Sequence, residues 1–313
     1  MLSDRDVAVI RRHFEGTQEE GFRVFQSKGY HSILKNGRLW VHNDSGRKQA
    51  IQDLYYYSSN SVVGTLTCSH TIKLWDVGRR LSPRETARLM GFPETMILPK
   101  SRYNALFGNS VCIPCARFAV SRVVSPNEKL IHLDLCSGIG GFAFSLPCKT
   151  ALTYFSEISP AAISCYTTNF PLSKPLGDAT QIEKWPKCDL VTAGFPCQAF
   201  SNTNSRARRE VHPCLNFIDV VIHAIRSTGC TRVVLENVAQ FKTVGNEQYN
   251  RLKRSLKKMG FNSEEEVLDA RDFGLPHARR RLYIVARRGS AKPRSMAHEV
   301  GQRNAVLSDI LGD

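Results

Sequence analysis

The chain has 313 residues, 42% hydrophobic and 23% charged, which is enough apolar material for a sizeable core and too much for a disordered chain. No apolar run reaches the roughly 18 residues needed to span a bilayer. The charged start Met1–Gly16 lacks a signal-peptide core, and ten cysteines are too few for a disulfide scaffold. The formal net charge of +15, from 43 Lys and Arg against 28 Asp and Glu, points to a polyanionic partner, nucleic acid before an acidic membrane face. The expectation is an intracellular protein with reduced thiols, in cytoplasm, nucleoid or nucleus, with no membrane association.

Residues 1–65 are polar and mixed, with strand-like pieces at Arg38–His42 and Asp53–Tyr57. Ser82-Pro83-Arg84-Glu85 supplies an N-cap, a proline at the first helical position and the acidic partner of a capping box. That predicts a helix stopped by Gly91, with Pro93 beyond it. From about residue 130 short apolar runs alternate with helical stretches: Leu130–Leu135, Ala151–Phe155, Asp189–Ala193, Arg232–Leu235 and Leu282–Ala286. The alternation predicts an α/β fold, a mostly parallel sheet with helices on both faces and functional groups at the carboxyl ends of its strands.

Those strand ends carry the chemistry. Leu135 runs into Cys136-Ser-Gly-Ile-Gly-Gly141, where glycines let backbone approach a ligand, although a plain tight turn reads the same way. Glu157 ends the second strand, where a carboxylate suits a ribose, and Asp178 follows the third, where it suits an adenine amino group. Taken singly, each is equally a solvated acid. Gly194-Phe-Pro-Cys-Gln198 presents Cys197 from a rigid turn, a placement that suits a thiolate nucleophile. Glu236-Asn237-Val238 puts a carboxyl after the fifth strand, fit to donate a proton or hold a ring nitrogen. Arg279 and Arg281 alternate ahead of an apolar strand and suit a phosphate or a carbonyl, or form a basic edge. Cys112 and Cys115 have metal-site spacing, but no second pair completes a zinc site, so they read as packing and no metal is expected.

In this combination the residues resemble the cytosine-C5 DNA methyltransferases that use S-adenosylmethionine. Asp134–Phe142 is similar to that family's first motif, Gly194–Gln198 to its Pro-Cys motif and Glu236–Val238 to its Glu-Asn-Val motif. Arg279–Arg281 resembles its Gln-x-Arg-x-Arg motif, with His277 where Gln is usual. Cys136 stands where a Phe is usual. Arg80–Pro93 and Tyr103–Val111 resemble the two motifs that normally close the chain, yet here they precede the first. The resemblance therefore implies a circularly permuted, Rossmann-like methyltransferase sheet with a small target-recognition region. Residues 1–68 would be that region, 69–125 the displaced motifs and 126–313 the catalytic core. Asn304–Leu311 and Met1–Asp6 look like the two sides of a joined segment, so the ends are expected close together.

The same resemblance implies the site. Cys197 would attack C6 of a flipped-out cytosine, Glu236 would hold N3, Arg281 with Arg279 would support O2, and Asn237 would brace the cysteine loop. The donor would lie against Asp134, Gly138, Gly140, Gly141 and Phe142, with Glu157, Ile158, Asp178 and Ala179 on the next strands. Asn109 and Ser110 would close that pocket, with Pro196 and Leu215 touching it. Ser201, Arg206, Arg208 and Arg209 would contact double-stranded DNA. A monomer is expected, and a short recognition region leaves a partner subunit open. Two rival readings are an RNA cytosine methyltransferase, whose Cys-Phe-Thr signature is absent, and a non-catalytic DNA-binding subunit.

Overall fold

The computed structural model describes residues 2–14, 21–25, 30–35, 38–43, 55–68, 71–148, 150–196, 216–298 and 304–312. Helix α1 (Asp4–Phe14) precedes a six-stranded sheet of β1 (Gly21–Phe25), β2 (Tyr30–Lys35), β3 (Arg38–Asn43), β4 (Tyr55–Tyr57), β5 (Lys73–Leu74) and β6 (Arg79–Arg80), ordered as numbered. Its own apolar cluster is small, centred on Leu34, Leu39 and Tyr56. Polar bonds supplement it. Buried Asp6 accepts from Tyr56 Oη at 2.7 Å and from Lys73 Nζ at 2.9 Å. These partners hold its carboxyl well below the ordinary range despite burial.

Helix α2 (Pro83–Leu89) begins with the expected capping box: Glu85 N–H donates to Ser82 Oγ at 3.2 Å and Ser82 N–H to Glu85 Oε2 at 2.7 Å. It stops before Gly91, whose φ of 76° is left-handed. Helices α3 (Tyr103–Gly108) and α4 (Ile113–Ser121) follow.

The larger sheet holds β7 (Leu130–Leu135), β8 (Thr150–Ser156), β9 (Lys174–Gly177), β10 (Leu190–Gly194), β11 (Arg232–Val238), β12 (Phe261–Asp269) and β13 (Arg280–Arg288). Its spatial order is β12-β13-β11-β10-β7-β8-β9. The five strands from β9 to β11 run parallel, while β13 pairs antiparallel with both β11 and β12. The mostly parallel sheet is as expected. Strand β12 is not among the runs the sequence marked, because Glu264-Glu265-Glu266 interrupts its apolar signal at an edge.

Period-two alternation divides the sheet's apolar residues between two layers. Leu133, Val191, Val233 and Leu235 pack with α7 (Phe217–Thr228) and α8 (Asn246–Lys258). Leu190, Val234, Tyr283 and Val285 pack with Cys115, Ala116, Ala119 and Val120 of α4. Each such buried Val or Leu contributes about 1.5–3 kcal/mol. A helix that precedes every strand of this sheet in the chain thus completes its core. Cys112 and Cys115 are both buried in that layer, as packing residues.

Strand order reverses between β7 and β10, which opens a crevice at their carboxyl ends. Helix α5 (Gly141–Ser145) follows β7 and α6 (Pro160–Asn169) follows β8. Residues near the two ends of the chain are tied to adjoining elements, the β5–β6 turn and α2. Leu2 N–H donates to Gly78 O at 3.2 Å, Arg79 grips Glu85 at 2.7 Å, and Gly312 N–H donates to Glu85 at 3.0 Å. No helix among the described residues is long and apolar enough to cross a membrane.

Candidate active site

A cavity of about 430 Å³ occupies this crevice. Its first wall is the turn after β7. Cys136 has a left-handed backbone, φ 51°, which is rare without glycine, and Gly138 follows at 53°. A Cβ on Gly138 would meet no atom within 4 Å, so this edge stays open to a ligand. Gly141 has the opposite job. A Cβ there would lie 2.6 Å from Val111 Cγ2, so glycine lets α5 pack against the Asn109–Val111 turn.

The second wall is Glu157, at the end of β8. One carboxylate oxygen accepts Gly138 N–H at 2.9 Å, and the other accepts Ile158 and Ser159 N–H at 2.8 and 2.9 Å. Three of the carboxylate's four lone pairs are thus engaged, and one on Oε2 remains for a ligand hydroxyl. Ile158 lines the same wall with its apolar side chain 70% exposed. Asp178 Oδ1 caps the turn at Thr180 at 2.8 Å, while Oδ2 has no partner among the described residues. An open glycine edge, an acid with one acceptor site to spare, an exposed apolar side chain and a second acid together fit an adenosine-bearing group.

The third wall is acidic and basic at once. Glu236, only 9% exposed, pairs with Arg281 Nε at 3.2 Å. Burial pushes its carboxyl above the ordinary carboxylate range, opposed by Arg281 and Arg279. Register pairing sets Gly194 beside Glu236, and a Cβ on Gly194 would lie 3.8 Å from Glu236 Oε2. Phe195 and Pro196 therefore enter the cavity next to this carboxyl. Asn237 Nδ2 donates to Phe195 O at 3.1 Å, and Asn237 Oδ1 accepts Val238 N–H at 2.9 Å, which fixes the turn leading to residue 197.

Several expected residues stand elsewhere than in the wall. Asp134 is fully buried behind it, accepting from Thr192 Oγ1 at 2.7 Å and Tyr166 Oη at 3.4 Å. Burial pushes its carboxyl up to about 8. His132, pushed down to about 3 by burial, contacts Thr192 Oγ1 at 2.8 Å. Since Thr192 donates to Asp134, His132 Nε2–H must donate to Thr192. Asp134 thus supports the turn after β7 from below rather than facing a ligand. Gly140, Gly141, Phe142 and Ser110 likewise pack behind the cavity, whereas Asn109 and Ala179 line it.

Arg279 is held by backbone carbonyls on two sides. It borders the cavity, yet Nη1 donates to Leu66 O at 3.0 Å, and Nη2 to Gly108 O and Ser110 O at 3.0 and 2.7 Å. These three donors hold neighbouring segments together, while Nε has no partner among the described residues. Phe217 lines the cavity without having been singled out, since nothing local distinguishes it from a core residue. Cys197, Ser201, Arg206, Arg208, Arg209 and Leu215 lie outside the described residues. Among the described residues no group of three or more His, Cys, Asp or Glu is arranged to hold a metal ion.

A family model described as C-5 cytosine-specific DNA methylase matches residues 10–125 and 130–313. The chain is 36% identical over 193 residues to the Type II methyltransferase M.MspI of Moraxella sp, covering 58% of this chain and 45% of that one. It is 32% identical over 187 residues to the Type II methyltransferase M.HhaI of Haemophilus parahaemolyticus, covering 58% and 57%. The chain thus spans about half the length of the curated relatives it matches. Among solved structures, the S. pombe Dnmt2 methyltransferase is similar at 24% identity and a TM-score of 0.41, covering 54% of this chain and 52% of that one.

Proposed function

The chain belongs to the C-5 cytosine-specific DNA methylase family, and from that membership we propose that it methylates C5 of cytosine in DNA with S-adenosylmethionine as donor. One observation carries the reading: the Glu236–Arg281 pair and the Gly194–Pro196 turn share a single cavity with Glu157, Asp178 and the open edge of Gly138. Glu157 would hold the ribose hydroxyls, Asp178 the adenine amino group and Ile158 the adenine face. Bound there, the donor supplies an electrophilic methyl group.

C5 of cytosine is a poor nucleophile, so the ring needs activation. Cys197, following Pro196, would add as thiolate to C6. Glu236, kept protonatable by burial, would hold N3 and share its proton with it. Arg281 would support O2 as charge develops in a water-poor site. After C5 takes the methyl group, loss of the C5 proton to a base lets the Cys197 sulfur leave. A stacked base cannot reach the cavity, so the cytosine must flip out, at a cost of a few kcal/mol. The segment after Cys197 would close on the DNA, with Ser201, Arg206, Arg208 and Arg209 on its backbone.

The chain order proposed is a rotation of the family's, with residues 1–68 reading the target, 69–125 completing the pocket and core, and 126–313 carrying catalysis. Two findings support it: α4 fills one face of the β7–β13 sheet, and residue 2 is tied to the β5–β6 turn while residue 312 is tied to Glu85 of α2, which Arg79 of β6 also grips. The test is incubation with DNA carrying 5-fluorocytosine, beside methyl-transfer assays on DNA and tRNA. A covalent adduct in wild type, lost in Cys197→Ala, is expected. Neither adduct nor transfer to DNA would refute the proposal, and transfer to tRNA alone would replace its substrate.

A further inference from the structure

Besides filling their layer of the core, Cys112 and Cys115 form a pair. Cys112 is the N-cap of α4 and Cys115 its third residue, positions whose side chains meet on one side of a helix's first turn. Both are free thiols, 0% and 1% exposed, and the Cys115 thiol donates to the Cys112 sulfur. The two residues between them are clamped. Ile113 N–H donates to Met90 O at 3.0 Å, and Pro114 packs on Gly91, where a Cβ would lie 2.4 Å from Pro114 Cδ.

The surroundings set this pair apart from the other buried cysteines. Burial pushes the Cys165 and Cys230 thiols up to about 11. Cys112 moves the other way, because Cys115 donates to it and Arg279 and Arg281 lie near. The Tyr283 hydroxyl and Arg279 Nε are buried without partners among the described residues, and both groups interact electrostatically with the pair. The turn that leads into Cys112 is also an edge of the cavity. Asn109 lines it, Arg279 holds Gly108 O and Ser110 O, and a Cβ on Gly141 would lie 2.6 Å from Val111 and 2.8 Å from Ser110.

We propose that Cys112 and Cys115 are an oxidative modification site, a dithiol that a hydroperoxide closes to a disulfide, and that closure weakens donor binding by displacing the Asn109–Val111 turn. The effect on the donor rests on the methyltransferase reading above, whereas the disulfide does not. Cys112, as thiolate, attacks a peroxide oxygen: an S–O bond forms, the O–O bond breaks, and the leaving oxygen departs as water with the proton Cys112 gave up. The Cys115 sulfur then displaces the remaining oxygen as a second water, carrying the Cys115 proton. The S–S bond forms, the S–O bond breaks, and the two thiols have lost two electrons to the peroxide. Sulfurs in hydrogen-bond contact must close to about 2 Å. Cys115 is fixed inside α4, so the shift falls on Cys112 and the turn before it, where Gly141 leaves no slack. Neither thiol reaches the surface, so oxidation waits on local opening of the first turn of α4. A donor against Asn109 opposes that opening and protects the pair.

The test treats the full chain with hydrogen peroxide, blocks remaining thiols and digests with trypsin. Cleavage after Arg102 and Arg117 releases Tyr103–Arg117, which carries both thiols and no other cysteine. The expected product is this peptide unblocked and two hydrogens lighter, formed more slowly when S-adenosylhomocysteine is present. Calorimetric affinity for S-adenosylhomocysteine should fall about tenfold on oxidation and return with dithiothreitol. C115S should bind like reduced wild type, within about twofold, before and after peroxide. C115A carries that comparison if C115S does not fold. A Tyr103–Arg117 peptide that stays fully blocked while other cysteines oxidise overturns the proposal. So does an equal loss of affinity in the Cys115 variant, which would assign the effect to another thiol. Reduced wild type that binds no S-adenosylhomocysteine overturns the methyltransferase reading instead, and the peptide mass still decides whether the disulfide forms.

Discussion

Asn237→Ala removes the two bonds that fix the turn ahead of Cys197. Asn237 is 2% exposed and donates to the carbonyl of Phe195, itself 3% exposed, at 3.1 Å. The alanine leaves that carbonyl buried and unpaired, at about 1–3 kcal/mol. Val238 N–H loses its 2.9 Å acceptor too, but Val238 is only half-buried and water can replace it. If about 2 kcal/mol of ordering is lost where the thiol must meet C6, the rate falls about thirtyfold. The assay is single-turnover adduct formation with 5-fluorocytosine DNA, with S-adenosylhomocysteine affinity measured in parallel. That affinity should stay within about twofold, because Glu157 and Asp178 sit on other strands and make no bond to Asn237. Asn237→Asp should be at least as slow, since it keeps the acceptor for Val238 but faces the Phe195 carbonyl with a carboxylate. Adduct formation within about twofold of wild type, in a variant that has lost about 2 kcal/mol of unfolding free energy, would refute the reasoning. It would show that the bonds serve general stability and not the loop.

Two further outcomes concern acids at Asp134 and Glu157. Asp134 is pushed up to about 8 by burial, so the folded state holds its proton more tightly than the unfolded state does. Its contribution to stability is full below the ordinary carboxylate value and is lost as pH rises toward about 8. Urea unfolding of Asp134→Asn at about pH 5 and about pH 8.5 should show a flatter dependence than wild type, and an unchanged slope would count against the buried acid. Glu157→Gln replaces the carboxylate proposed to hold the ribose, and charged hydrogen bonds contribute about 1.5–3 kcal/mol. S-adenosylhomocysteine should bind about tenfold or more weakly, with DNA affinity unaltered. Affinity within about twofold of wild type would place the nucleoside elsewhere.

Much of the site was legible in the sequence because its signals are local. The capping box at Ser82, the glycine turn after Leu135 and the acids ending β8 and β11 all need only neighbours a few residues away. Apolar runs of strand length marked β7, β8, β10, β11 and β13, since a sheet covered on both faces leaves no room for polar alternation. Edge strand β12 escaped for the converse reason: one side of it faces water, and its acidic run resembles a loop.

What a polar residue does was decided by tertiary structure alone. Arg279 and Arg281 look equivalent in sequence, two basic residues on alternate positions. The fold brings Leu66, 213 residues away, and Ser110, 169 residues away, onto the guanidinium of Arg279 and makes it a brace. It leaves Arg281 against Glu236 in the cavity. Asp134, which a motif alone would put in contact with a donor, lies buried behind the cavity, where burial pushes its carboxyl up to about 8 although Thr192 and Tyr166 donate to it. Residue type and spacing set which atoms are available, but burial sets their charge, and distant segments choose their partners.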